Sequence, residues 1–246
     1  MVICLVVAGA LMLQQLRTQT QLAEPLPSAV EVTTPTPTAS AAVPSQTDTP
    51  SEAAPPSPSS QPAMPAFVPR YMSIPGTPAT KQVDADVISL PTQRIWSKWQ
   101  KRYVDAFGVP DVKTDARAFE LVTWWSDGPK IGERRDGLIP ILLGHTSSRK
   151  YGVFNDLGKL PAGTTMVVSS QDAKIVATME LIKVVRDIPK GDPNALTKVL
   201  ESAPVDADVA AITCSGTLVT TPSGAVSHEE NTVAFWRVKS FEVRGK

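Results

Sequence analysis

The chain is poor in the residues that build metal and disulfide centres. It has two cysteines and two histidines among 246 residues. Two cysteines could form at most one disulfide, and with no His/Cys cluster the sequence offers no metal site and implies no cofactor. It also lacks net charge, with 24 basic against 24 acidic residues. Neither nucleic acid nor an anionic lipid surface is therefore implied as a partner by composition. Long apolar runs are scarce too. The one that stands out, from Val2 to Leu16, is short for a full span, which needs about 20 residues. It carries no Lys or Arg ahead of it, so the positive n-region of a secretory signal is missing. Residues 1–17 are expected to be an N-terminal transmembrane anchor whose start is cut short, with a cleaved signal peptide as the rival reading.

What the chain does have is unevenly spread. About half of its 23 prolines fall between Pro25 and Pro69. Residues 18–69 are mostly Pro, Thr, Ser and Ala, without a period of 2 or 3.6. Such a segment cannot bury enough apolar surface to offset the ordering of its backbone. It is expected to be a disordered, semi-stiff spacer. Residues 70–246 are long enough for one domain with a proper core. The expected localisation is the cell membrane, crossed once, with this domain held outside the cell on a stalk.

Within the domain the patterning favours strands. Tyr71–Ile74, Val83–Ile88, Phe119–Trp125, Leu138–Leu143, Thr165–Ser169, Lys174–Val185, Asp208–Cys214 and Asn231–Val243 read as short β segments between turn signals. Pro140 inside the fourth implies an edge or a bulge. One long amphipathic helix is expected from Thr92 to Phe107, because Ile95, Trp96, Trp99, Tyr103 and Phe107 recur at helical spacing. A polar, helical connection is expected over Asn194–Glu201. The fold class is mainly β, a closed or nearly closed barrel.

Two stretches carry chemistry. In DVAAITCSG (208–216) an apolar run leads to Cys214 and meets a Ser-Gly break. In LLGHTSSR (142–149) a strand ends at His145. Cys4 lies in the apolar N-terminal run, so if that run is in a bilayer Cys214 has to be a free thiol, buried and inert or exposed and reactive. A thiol is only a few per cent thiolate at neutral pH. A nearby imidazolium lowers its pKa, and the same histidine then protonates a leaving amine. Cys214 as nucleophile and His145 as acid/base would make a workable acyl-transfer pair, provided that they meet.

The residues around this pair resemble one family. GHTSSR (144–149) followed by GVFNDLGKLPAG (152–163) is similar to the histidine region of sortases, and AITCSG (211–216) to their active-site strand. WWSDGPKIGE (124–133) resembles a run in actinobacterial sortases near classes E and F, and Ser73-Ile74-Pro75 the family's first strand. The resemblance covers roughly residues 70–240, in the expected order. It implies an eight-stranded sortase barrel and a cysteine transpeptidase. Cys214 would cleave an LPXTG-like sorting signal at the C-terminus of a surface protein, forming a thioacyl enzyme. An amine of a peptidoglycan precursor or a pilin lysine would then release the product.

The sequence departs from the family at one point. Sortases carry an arginine roughly a dozen residues after the cysteine, where it stabilises the oxyanion. If Asn231-Thr232-Val233 is aligned with the family pattern, Glu229 occupies that position, and a carboxylate opposes a developing negative charge. Three readings stay open: the arginine is absent, Arg237 supplies it from about 26 Å further along the strand, or His228 donates instead. The alternative functions are a sortase-like barrel that binds peptides without turnover, and a stalked surface domain with an inert thiol.

Overall fold

The computed structural model describes residues 63–148 and 150–245. The expected anchor and nearly all of the expected linker lie outside them. Among the described residues no helix is long and apolar enough to cross a membrane.

Ten strands follow one another along the chain: β1 (Pro69–Ile74), β2 (Val83–Leu90), β3 (Thr92–Ser97), β4 (Arg102–Phe107), β5 (Val122–Trp125), β6 (Ile141–Gly144), β7 (Thr165–Ser170), β8 (Ile175–Pro189), β9 (Val209–Thr220) and β10 (Val226–Val243). A 3₁₀ turn spans Leu157–Lys159, and one helix, α1 (Ala195–Glu201), lies between β8 and β9. Eight strands close into a barrel in the order β1-β2-β5-β6-β9-β10-β8-β7. Pairing of β7 with β1 seals it, which removes the open edges a flat sheet would present.

The barrel wall has two apolar sides. Side chains from every strand of the barrel fill its interior, among them Met72, Val87, Trp124, Leu142, Met166, Met179, Ala211 and Trp236. The alternate residues of β5, β6, β8, β9 and β10 form a second, outer cluster with Trp125, Leu143, Ile188, Ile212, Cys214, Val233 and Phe235. Phe107 and Leu196 of α1 cover it from outside. Burial on both faces explains why β6 and β9 read as continuous apolar runs rather than alternating ones.

Three expectations are corrected. The helix over Thr92–Phe107 is instead a two-stranded hairpin, β3 against β4, with Trp96 opposite Tyr103. Its rings meet edge to face, centroids 5.4 Å apart. The residues that suggested a helical stripe are aromatic and β-branched, which a pleated surface accommodates as well. The reversal at 98–101 carries no glycine: Lys101 takes the left-handed conformation (φ 51), and Gln100 N–H donates to Ser97 Oγ. Second, Pro140 does not interrupt a strand. β6 begins after it, between β5 and β9, and the Pro140 carbonyl accepts the Ala210 N–H. Third, β9 does not end at Ser215-Gly216. It runs on to Thr220 and pairs with the start of β10.

Candidate active site

β6 and β9 run parallel, with Ile141, Leu142 and Leu143 opposite Ala210, Ala211 and Ile212. One residue further on, Thr213 Oγ1 donates to the Gly144 carbonyl at 2.9 Å, joining chain positions 69 residues apart. Continuing the register by one more residue brings His145 level with Cys214. Ile141, Leu143, Ile212 and Cys214 share the outer face, and alternation puts His145 on it too. Both residues are almost wholly buried, each 2% exposed.

His145 is held from two sides. Its Nε2 lies 2.8 Å from the Pro110 carbonyl, which only accepts, so Nε2 carries the proton and Nδ1 is the free base of the neutral ring. Pro110 belongs to the segment leaving the β3–β4 hairpin, so that insertion orients the imidazole. The Phe119 ring packs with its centroid 5.5 Å away. Burial pushes the His145 pKa below its ordinary value, against the Pro110 bond and the charge of Asp111, which act the other way.

The loop after His145 is organised by Asn155, a residue the sequence reading passed over. Its Oδ1 accepts from Thr146 Oγ1, Ser147 N–H and Gly152 N–H, and its Nδ2 donates to the Ser147 carbonyl. One amide side chain thus replaces a whole turn of backbone bonding. A Cβ at Gly152 would sit 2.3 Å from the His145 carbonyl oxygen, so only glycine lets the returning chain pass this close. The signal in the sequence was local: an Asn three residues after the glycine of a loop.

Cys214 departs from expectation. There is no free cysteine among the described residues, and Cys214 is disulfide-bonded. The inference of a free thiol rested on placing Cys4 in a bilayer, and Cys4 lies outside the described residues. Acyl transfer at this position belongs to the reduced protein.

The cations and anions around the pair are now placed. The Glu229 side chain is engaged by the backbone, its Oε1 accepting the Thr217 N–H. This caps the irregularity where β9 passes Gly216, which has φ +77 and lies against Glu230. Arg237 is excluded as the missing arginine. Asn231 stands opposite Cys214 and Trp236 opposite Val209, so Arg237 lies about 20 Å from the cysteine level. It pairs there with Glu180 and Asp206. His228 is 8% exposed; its Nδ1 donates to the Gly216 carbonyl, and its Nε2 is buried without a partner. Burial first, then the charge of Lys190, lower its pKa, while the bond to the Gly216 carbonyl raises it.

Solved sortases share similarity with this chain. Sortase A from Corynebacterium diphtheriae is 14% identical with a TM-score of 0.43, over 72% of this chain and 62% of its own. Sortase C-3 from Streptococcus pneumoniae is 13% identical with a TM-score of 0.45, over 74% and 67%. A sortase from Actinomyces oris is 14% identical with a TM-score of 0.45, over 73% and 88%. The chain thus spans less than two thirds of the Corynebacterium enzyme. Overlap at this level assigns no chemistry to any residue here. No protein-family model matches the chain, and no curated protein does.

Proposed function

We propose that the protein is a sortase-type cysteine transpeptidase, with His145 as acid/base and Cys214 as nucleophile in its reduced form. The observation that supports this reading is the parallel β6–β9 register, tied by Thr213 and Gly144, whose continuation by one residue runs through His145 and Cys214. His145 Nδ1 takes the proton of the Cys214 thiol, and the thiolate adds to the carbonyl of the Thr-Gly bond of an LPXTG-like signal. The C–N bond then breaks, the departing amine takes its proton from His145, and a thioester remains on Cys214. An amine of a peptidoglycan precursor or a pilin lysine attacks that thioester, His145 takes up the amine's proton, and Cys214 leaves as the thiolate. Splitting one amide exchange into two steps is the gain of covalent catalysis. A membrane anchor at residues 1–17 and a spacer at 18–69 would hold the barrel outside the cell, near both substrates; a likeness to class E and F sortases belongs to the same proposal.

The test is mass spectrometry of the reduced protein with a sorting-signal peptide. A thioacyl adduct is expected on Cys214, absent in Cys214→Ala and His145→Ala. Full cleavage by Cys214→Ala refutes the mechanism. A second reading, a peptide-binding barrel without turnover, is favoured by the disulfide at Cys214 and by Glu229 in the arginine position. Saturable peptide binding with no cleavage over hours supports it instead.

A further inference from the structure

Lys190 is the only lysine or arginine buried among the described residues, at 2% exposure. Burying an ammonium is costly unless something compensates it. Lys190 follows β8 directly. Ile188, Asn231 and Cys214 form one row across β8, β10 and β9, and Ile188 and Cys214 share the outer cluster. Lys190 comes two residues after Ile188, with its N–H donating to the Glu229 carbonyl. Alternation returns its side chain to the cysteine face. Its Nζ lies 3.0 Å from the His228 carbonyl, leaning toward β10 and β9. That bond uses one of three ammonium protons.

The surroundings are those of a site built for a polar guest. Ser215 Oγ, Ser227 Oγ, His228 Nε2 and Asn231 Oδ1 are all buried without a partner. Asn231 stands opposite Cys214 and Ser215 follows it, while His228, whose carbonyl holds Lys190, and Ser227 lie further along β10 opposite Leu218 and Val219. Buried polar atoms are nearly always satisfied, so a concentration of orphans calls for a ligand with hydrogen-bonding groups of its own, as a peptide backbone has.

We propose that Lys190 is the cationic residue of this site, its buried ammonium stabilising negative charge on the Cys214 sulfur and on the peptide carbonyl that the sulfur attacks. The second half rests on the transpeptidase reading; the first does not. Burial brings the Lys190 pKa down to about 7, opposed by the attraction of Glu230 and helped by the repulsion of Lys98 from the β3–β4 turn. His228, Glu229 and Asp187 are ionisable groups beside this cluster, and His145 is the one level with Cys214 on the β6 side. A group poised there takes its proton fully when an anion forms nearby.

The test is the pH dependence of iodoacetamide alkylation of the reduced full chain, followed at the Cys214 peptide by mass spectrometry so that Cys4 does not contribute. Lys190→Met removes the charge, Lys190→Gln removes it but keeps a donor for the His228 carbonyl, and Lys190→Arg keeps both. Two strand spacings separate β8 from β9, about 10 Å; at an effective dielectric near 20 a full charge there is worth roughly sixteen-fold, and with Lys190 half ionised near pH 7 alkylation is expected to be roughly nine-fold slower in the Met and Gln variants. Arg is expected to restore the wild-type profile. A folded Lys190→Gln protein with an unchanged profile overturns the proposal. A shifted profile in a protein that acylates no sorting-signal peptide retires the transpeptidase reading and leaves the charge assignment standing.

Discussion

Replacing Lys190 by Met should change how stability depends on pH, and the size of the change follows from burial. An unfolded lysine titrates near 10.5 and Lys190 in the folded protein near 7. Between those values the unfolded chain binds more protons than the native one, so native stability rises with pH. Burial of the ammonium weighs on the fold most heavily below pH 7, and the penalty fades as pH climbs toward 10.5. With one pKa unit worth about 1.36 kcal/mol, the 3.5-unit gap sets a ceiling of about 5 kcal/mol. From pH 7 to pH 9.5 the gain is about 3 kcal/mol by the same linkage. Stopping at 9.5 keeps clear of Tyr71 and Tyr151, whose raised pKa values act in the opposite direction at higher pH. Urea unfolding at the two pH values measures the difference. Wild type should gain about 3 kcal/mol over Lys190→Met in this window, whatever the two proteins' stabilities at pH 7. Parallel pH profiles would refute the assignment of a buried, neutral-poised lysine.

Four other outcomes are expected. Asn155→Ala removes four hydrogen bonds around the His145 loop and should cost about 2–4 kcal/mol in thermal or urea unfolding, with a drop in kcat. Trp236→Ala opens the filled barrel interior, where Trp236 is fully buried, and should cost about 3–5 kcal/mol by urea titration. Arg237→Ala breaks two exposed ion pairs; it should cost less than about 1 kcal/mol and leave thioester formation at the wild-type rate, measured by adduct mass. Glu229→Arg should not accelerate acylation in a stopped-time assay, because the position-229 side chain is directed to Thr217.

Strand positions were legible where one face alternates or both faces are apolar. Val83, Ala85 and Val87 gave β2, and the unbroken run before Cys214 gave β9. The closure of the barrel and the helix over Ala195–Glu201 also agree with the sequence reading. The β3–β4 hairpin was misread because aromatic residues at positions 96, 99, 103 and 107 fit a helical period as well as two strands. The turn between them uses Lys101, which announces no reversal. At the site, His145 and Cys214 were named from their motifs, and β6, which leads to the first, pairs in parallel with β9, which carries the second. Lys190 was invisible for a different reason. It stands in Ile-Pro-Lys-Gly-Asp-Pro (188–193), which reads as an exposed turn, and only the pairing of β8 with β10 shows that its side chain is covered.

The bond between Thr213 and Gly144 carries a consequence for biosynthesis. A contact spanning 69 residues forms only after the intervening chain has threaded into place, and long-range parallel pairing is a slow step in folding. Until it closes, β6 and β9 are not in register, so a partly folded copy has the stretches that carry His145 and Cys214 without the pairing that aligns them.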